Sequence, residues 1–333
     1  DNGDSTPDPT EPTAIFVTLR VLTDGTYTVA WKNVSTVDGH RVRGSFVFSV
    51  GEPITGAPLA SEPQEQPLLQ SPLEPVLRWL VLLSALAGVG GLFFDLSVAR
   101  PALAGPNASA GLRRVGEQLA SQTLKLLWLA MLLLLLASLA QLVVQAAVVN
   151  DVPLHQALGS PLRSMVADTD WGRLWLWRVG LLLAMAAFLG LVFTVAPRQH
   201  DHDPMVEFLH RFFRALALVV GAGMLLTLSL VSHGAATAEI RSAAVFSDYF
   251  HLLAAGFWVG GLFHLALAVP LFLKTLSSTD QRSALSALVP RFSTLAFLSV
   301  GTLLITGLYG AWAQVTILKA VATPYGWALL AKL

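Results

Sequence analysis

The stretch Asp248-Tyr-Phe-His251-Leu-Leu-Ala-Ala-Gly-Phe-Trp258-Val-Gly-Gly261-Leu-Phe-His264 decides how this chain is read. It is apolar over most of its length, yet it opens on an acid and an imidazole and closes on a second imidazole. Just upstream, Ser232-His233-Gly234 ends another apolar run, and Glu239 stands in the short connection between the two. Ionisable groups are costly at membrane depth, so those found there are functional candidates.

The same apolar character repeats outward from this stretch. Of 333 residues, 54% are hydrophobic and 13% charged, against roughly 25% charged in a soluble domain. Six runs, near 76–99, 122–148, 172–196, 209–232, 246–273 and 293–317, are long enough to cross a bilayer, and a seventh opens near Trp327. The expected fold is a mainly α-helical polytopic membrane bundle over 76–333. Net charge is zero, so there is no basic footprint for nucleic acid. Absence of cysteine excludes disulfides, thiolate metal sites and cysteine catalysis, and the five methionines are scattered. No hydrolytic or transferase constellation is present, so no enzyme is expected. The chain starts Asp-Asn-Gly-Asp and stops inside an apolar run, which reads as a fragment of something longer.

Residues 1–51 read differently. The first twelve are polar and Pro-rich, and no order is expected of them. Beyond them Ile15, Val17 and Leu19, then Tyr27, Val29 and Trp31, then Phe46, Phe48 and Val50 alternate with polar or small neighbours. That period predicts about three strands, with Asp24-Gly25 as a hairpin turn. Three strands are too few for a stable sandwich, so the module is expected to be partial. Residues 52–75 read as a Pro-rich tether. In Val37-Asp38-Gly39-His40 the acid and the imidazole both project from a turn. That pair suits a divalent metal such as copper(II), though Asp-Gly is first of all a turn signal.

Lys and Arg set the orientation. Arg100, Arg113 and Arg114, then Arg198 and Arg211, then Lys274, Arg282 and Arg291 accompany alternate connections, whereas the others carry Arg163, Arg241 or Lys319 alone. The richer side is expected in the cytoplasm, which puts the β module outside the cytoplasmic membrane. His233 and His251 then meet at the outer edge of antiparallel neighbours, with Glu239 and Asp248 beside them. Trp258 is expected on the face of His251, and Gly256 with Gly260 forms a small-xxx-small contact. His264 lies thirteen residues past His251, about 20 Å inward and some 140° around the helix. His210 begins the fourth span at that depth, so His210 and His264 form a second possible pair. Each of these histidines could instead be an interfacial polar residue or bond a neighbouring helix. Arg178 is read as a tie to Glu239 or Asp248, or as a charge tuning a metal site. The loop His200-Asp-His202-Asp203 is either solvated or a metal cluster.

Two family resemblances join these readings. Asp24-Gly-Thr-Tyr-Thr-Val-Ala-Trp31, Val34-Ser-Thr-Val-Asp-Gly-His40 and Gly44-Ser-Phe-Val-Phe-Ser-Val50 resemble the C-terminal half of the periplasmic copper-binding family CopC, an immunoglobulin-like β-sandwich. The resemblance implies that Asp38 and His40 are copper(II) ligands. The family's N-terminal histidine ligand has no counterpart in this chain. Ser232-His-Gly, Asp248-Tyr-Phe-His251, Trp258-Val-Gly-Gly261, Arg291-Phe-Ser-Thr-Leu-Ala, Thr306-Gly307 and Thr323-Pro-Tyr-Gly-Trp-Ala-Leu-Leu-Ala-Lys332 resemble the copper-resistance membrane family CopD. Together they imply a copper-handling membrane protein. Its β module captures copper(II) and its helices carry copper across, inward, from a site on His233 and His251. The lipid bilayer, the copper ion and a periplasmic copper chaperone are the expected partners. The residues leave open copper's oxidation state inside the membrane. Two rivals also stay open: a b-type haem redox protein, since paired histidines hold haems too, and a non-transporting chaperone or sensor platform.

Overall fold

The computed structural model describes residues 5–11, 14–35, 41–51, 64–65, 73–105, 108–194, 204–232 and 240–314. They fall into two compact units, one of strands and one of helices.

In the first unit, β1 (Thr6–Pro7) pairs with β2 (Ile15–Phe16), and β3 (Gly25–Val34), β4 (Arg41–Val50) and β5 (Gln64–Glu65) form an antiparallel sheet in that order. The β3–β4 ladder runs from Gly25 opposite Val50 to Val34 opposite Arg41. Its period of two is the expected one. Tyr27, Val29 and Trp31 are half-buried, while Thr26, Thr28 and Ala30 are exposed. Register sets Tyr27 against Phe48, with ring centroids 5.6 Å apart, and Trp31 against Gly44. A Cβ on Gly44 would stand 2.6 Å from the Trp31 indole, so the missing side chain is what lets the ring lie across the strand.

Four expectations change here. Thr6–Pro7 is a strand, although its surroundings look unstructured in sequence. Val17 and Leu19 lie outside any strand, because they find no ladder partner among the described residues. Asp24-Gly25 therefore opens β3 rather than turning a hairpin. Gln64–Glu65, within the tether, adds to the edge of β4 beside Val42 and Arg43.

The second unit contains α1 (Leu73–Leu103), α2 (Ala110–Asn150), α3 (Leu154–Ala157), α4 (Ser160–Asp168), α5 (Asp170–Thr194), α6 (Pro204–Ser229), α7 (Arg241–Thr275) and α8 (Ser278–Gln314). Six of them are long and apolar enough to cross a membrane, as the hydropathy pattern predicts. Four run well past a bilayer's thickness, with 41 residues in α2, 37 in α8, 35 in α7 and 31 in α1. Arg113, Arg114 and Arg282 accordingly sit in the first turns of helices, Arg291 lies further along α8, and Arg100 sits in α1, rather than in loops. All but Arg291 gather at the α1–α2 and α7–α8 junctions. Ser109 caps α2 by accepting from the Leu112 N–H at 3.2 Å.

α1 is the most buried span and α8 the least. One core joins Val81, Ala85, Val89 and Leu92 of α1 to Leu127, Met131 and Leu134 of α2, Met185 of α5 and Met224 of α6. Another joins Phe94 and Val98 to Phe272 of α7 and Leu288 and Phe292 of α8. Two π-helical turns interrupt the spans, Asp95–Ala99 in α1 and Gly256–Gly260 in α7. Such turns widen the helix by a residue and recur at functional sites. The second turn breaks the helical phase that sets Trp258 over His251, and Trp258 packs instead against the Phe94–Phe272 core. Gly256 and Gly260 do form a close contact, and its partner is α1. A Cβ on Gly90 would lie 2.0 Å from the Gly256 carbonyl oxygen, and one on Gly260 would lie 2.5 Å from the Leu86 carbonyl oxygen.

Candidate functional site

α7 carries two polar groups at different depths, and α1 crosses it between them. The first group is built on the N-terminal half of α7. His251 Nδ1 lies 2.9 Å from Thr306 Oγ1 of α8, and Ser247 Oγ donates to the Thr306 carbonyl at 3.3 Å. The Thr306 hydroxyl has one proton and also lies 2.7 Å from the Thr302 carbonyl, so its contact with His251 orients the ring without fixing which atom donates. Asp248 stands among Ser229 of α6, His251 and Arg78 of α1. Thus the expected neighbours Asp248 and His251 are together, and Thr306, known from sequence only as part of a motif, is what orients the ring.

The other members of that expected group, His233 and Glu239, lie outside the described residues, as do Asp38, His40, the His200–Asp203 loop and the seventh span. Arg178 is buried in α5 and ties that helix to α6. Its Nε donates to Thr227 Oγ1 at 3.1 Å and its Nη2 to the Thr227 carbonyl at 3.4 Å, both on α6. Asp248 is not its ion-pair partner.

The second group lies deeper along α7. His264 is buried, and its Nδ1 lies 2.9 Å from the Gly260 carbonyl. A carbonyl only accepts, so Nδ1 carries the proton here. Nε2 is buried and has no hydrogen-bond partner among the described residues. The ring packs onto Gly91, where a Cβ would meet Nε2 at 2.4 Å, and against Phe94 with ring centroids 6.4 Å apart. It is also within electrostatic reach of Asp95. Asp95 lies inside the first predicted run, 76–99, but was not singled out there. Its carboxylate is buried, accepts from Arg100 Nε at 2.8 Å and lies 3.7 Å from Arg214 Nη1 of α6. Arg214 is buried with no hydrogen bond to Nε or Nη1 among the described residues. A lone acid inside an apolar run was the signal that could have found this group. His210 sits half-buried near the start of α6.

Both imidazoles are therefore held through Nδ1 by a neighbouring oxygen, and in His264 that bond leaves Nε2 as the lone-pair nitrogen. That is the second-shell pattern that prepares a histidine to ligate a metal. Among the described residues no three His, Asp or Glu side chains converge as a metal-holding group. Each position offers one imidazole and one carboxylate nearby.

A helical bundle with six candidate spans, intramembrane histidines and a β region ahead of it defines a multi-pass membrane protein. The chain belongs to the copper resistance protein D-like family, whose N-terminal domain matches residues 69–243. A CopC domain matches residues 1–51, and a copper resistance protein D domain matches residues 286–333. A relative, "Copper transport protein CutJ" of Bacillus subtilis (strain 168), is 28% identical over 311 residues, which are 92% of this chain and 51% of that protein. The chain thus spans about half the length of the curated relative it matches. No solved structure matches it.

Proposed function

We propose that this chain moves copper across the cytoplasmic membrane, inward, after its extracytoplasmic β module has captured copper(II) through Asp38 and His40. Copper is the cargo. It is received on the outer side by His251, with His233 as the second imidazole and Asp248 and Glu239 supplying negative charge. From there it passes along α7 toward His264 and His210. The observation that carries this reading is that both α7 imidazoles are held through Nδ1 by a neighbouring oxygen, at two successive depths. The matches to copper-resistance domains on both sides of the tether support the order of the steps. The orientation rests on the Lys and Arg distribution.

The reading predicts that His251→Ala abolishes copper accumulation by cells expressing the chain, while the protein still inserts at its normal abundance. Whole-cell copper measured by mass spectrometry, normalised to membrane protein, makes the comparison. Accumulation equal to that of the parent chain sinks the proposal.

A further inference from the structure

The two polar groups on α7 differ in how far they are closed. Ser247, Asp248 and His251 are half-buried, whereas His264 and Asp95 are buried. Around the inner group, the side chains of Asp95 and Arg214 are 5% and 4% exposed, while that of Arg100 is 27% exposed. Arg100 is therefore the outermost member of the group, close to the end of α1 at Leu103. The π turn is what lays it over Asp95. In a regular helix residues five apart are separated by about 140° around the axis, so the two side chains would point apart. The turn closes a bond from the Arg100 N–H to the Asp95 carbonyl and brings Arg100 Nε to 2.8 Å from Asp95 Oδ2. Sequence explains why the turn falls here. Pro101 has no N–H to give the Ser97 carbonyl, and in a regular helix its ring crowds that carbonyl. A wider turn relieves the crowding.

We propose that Arg100 is the inner latch of the copper path: bonded to Asp95 it seals the His264 position from the cytoplasmic side, and rewinding of the π turn swings it off Asp95 and opens that position. The inference deepens the copper reading and rests on it, naming what keeps the path from standing open at both ends. Only one of the two cations beside Asp95 has to move. Arg214 stays buried against the carboxylate and keeps it compensated. The guanidinium that leaves reaches water, so its release strands no buried charge. Rewinding moves the Arg100 N–H from the Asp95 carbonyl to the Leu96 carbonyl, so the helix loses no bond at that residue. The crowding at Pro101 opposes the regular helix and makes the latched form the resting one.

The chain has no cysteine, so one introduced thiol reports access to the inner group. Ala268 is buried one turn past His264 on α7 and belongs to the same core as Phe94 and Val98. The full chain carrying Ala268→Cys is treated with a charged, membrane-impermeant thiosulfonate from either face of sealed vesicles, with no copper present. Arg100→Met keeps most of the side chain's bulk and removes its charge. It is expected to speed labelling from the cytoplasmic face about tenfold or more, the order that a charged hydrogen bond contributes to a local opening. Arg100→Lys restores the charge without the fork and is expected to stay within about threefold of the parent. Pro101→Ala changes no charge and favours the regular helix, so it is expected to speed labelling from that face about threefold or more. Labelling no faster in Arg100→Met, labelling as fast in Arg100→Lys as in Arg100→Met, labelling no faster in Pro101→Ala, or equal acceleration from the outer face each overturns the latch. Copper takes no part in these rates. Their failure leaves the accumulation result for His251→Ala standing, and failure there leaves these rates standing.

Discussion

Gly90→Val is expected to stop the helical unit from assembling. A Cβ at residue 90 meets three backbone atoms of α7, with the Gly256 carbonyl oxygen at 2.0 Å, Gly260 Cα at 2.7 Å and the Gly256 carbonyl carbon at 3.0 Å. Overpacking against a side chain costs about 1–3 kcal/mol, because the side chain moves aside. Backbone cannot move aside in that way, so the two spans must separate. Separation also pulls His264 off Gly91 and breaks the stack of Phe93 on Phe257, whose centroids are 3.9 Å apart. The expected cost exceeds that range. The measurement is the fraction of monodisperse protein after detergent extraction, together with the melting temperature of what survives. Gly90→Val should yield mostly aggregate, whereas Gly180→Val, where nothing lies within 4 Å, should extract like the parent chain. Equal behaviour of the two variants removes the α1–α7 crossing from the account.

Asp95→Ala is the second change with a large expected effect. The Asp95 and Arg214 side chains are 5% and 4% exposed. Removing the carboxylate leaves the Arg214 guanidinium buried without a counter-charge, and breaking a buried pair in this way costs about 3–5 kcal/mol. Arg100 does not add to the penalty, since it reaches water. Removing both partners, in Asp95→Leu with Arg214→Met, is expected to recover most of the lost stability, because apolar replacements of a buried pair are often neutral or better. Unfolding followed by thermal denaturation in detergent distinguishes the cases. If the double variant is as unstable as Asp95→Ala, the ion pair is not what the single change disrupted.

The helical architecture was legible because crossing a membrane demands length and apolarity, and both are written directly in composition. The β3–β4 ladder was legible for a similar reason, since alternation follows from the pleat. The short pairings of Thr6–Pro7 and Gln64–Glu65 were not, because two residues carry no period. Within the site, Asp248 beside His251 followed from helical spacing, but Thr306 did not, since a partner on another helix needs the tertiary fold. Asp95 was missed because a boundary set by hydropathy puts it near water, while packing by α6 and α7 buries it. The π turns were missed because inserting one residue into a helical turn leaves no compositional trace, and with them went the true direction of Trp258. The copper reading came from motifs, and the anchored rings of His251 and His264 gave those motifs a physical form.

Copper flux into sealed vesicles tests the central claim most directly. The purified chain is reconstituted into liposomes, copper is added outside, and internal metal is followed with a trapped indicator. The account predicts influx well above that of protein-free liposomes, lost in His251→Ala. Influx no faster than through bare lipid, from protein that retains its fold, contradicts it and leaves the helices a platform rather than a path.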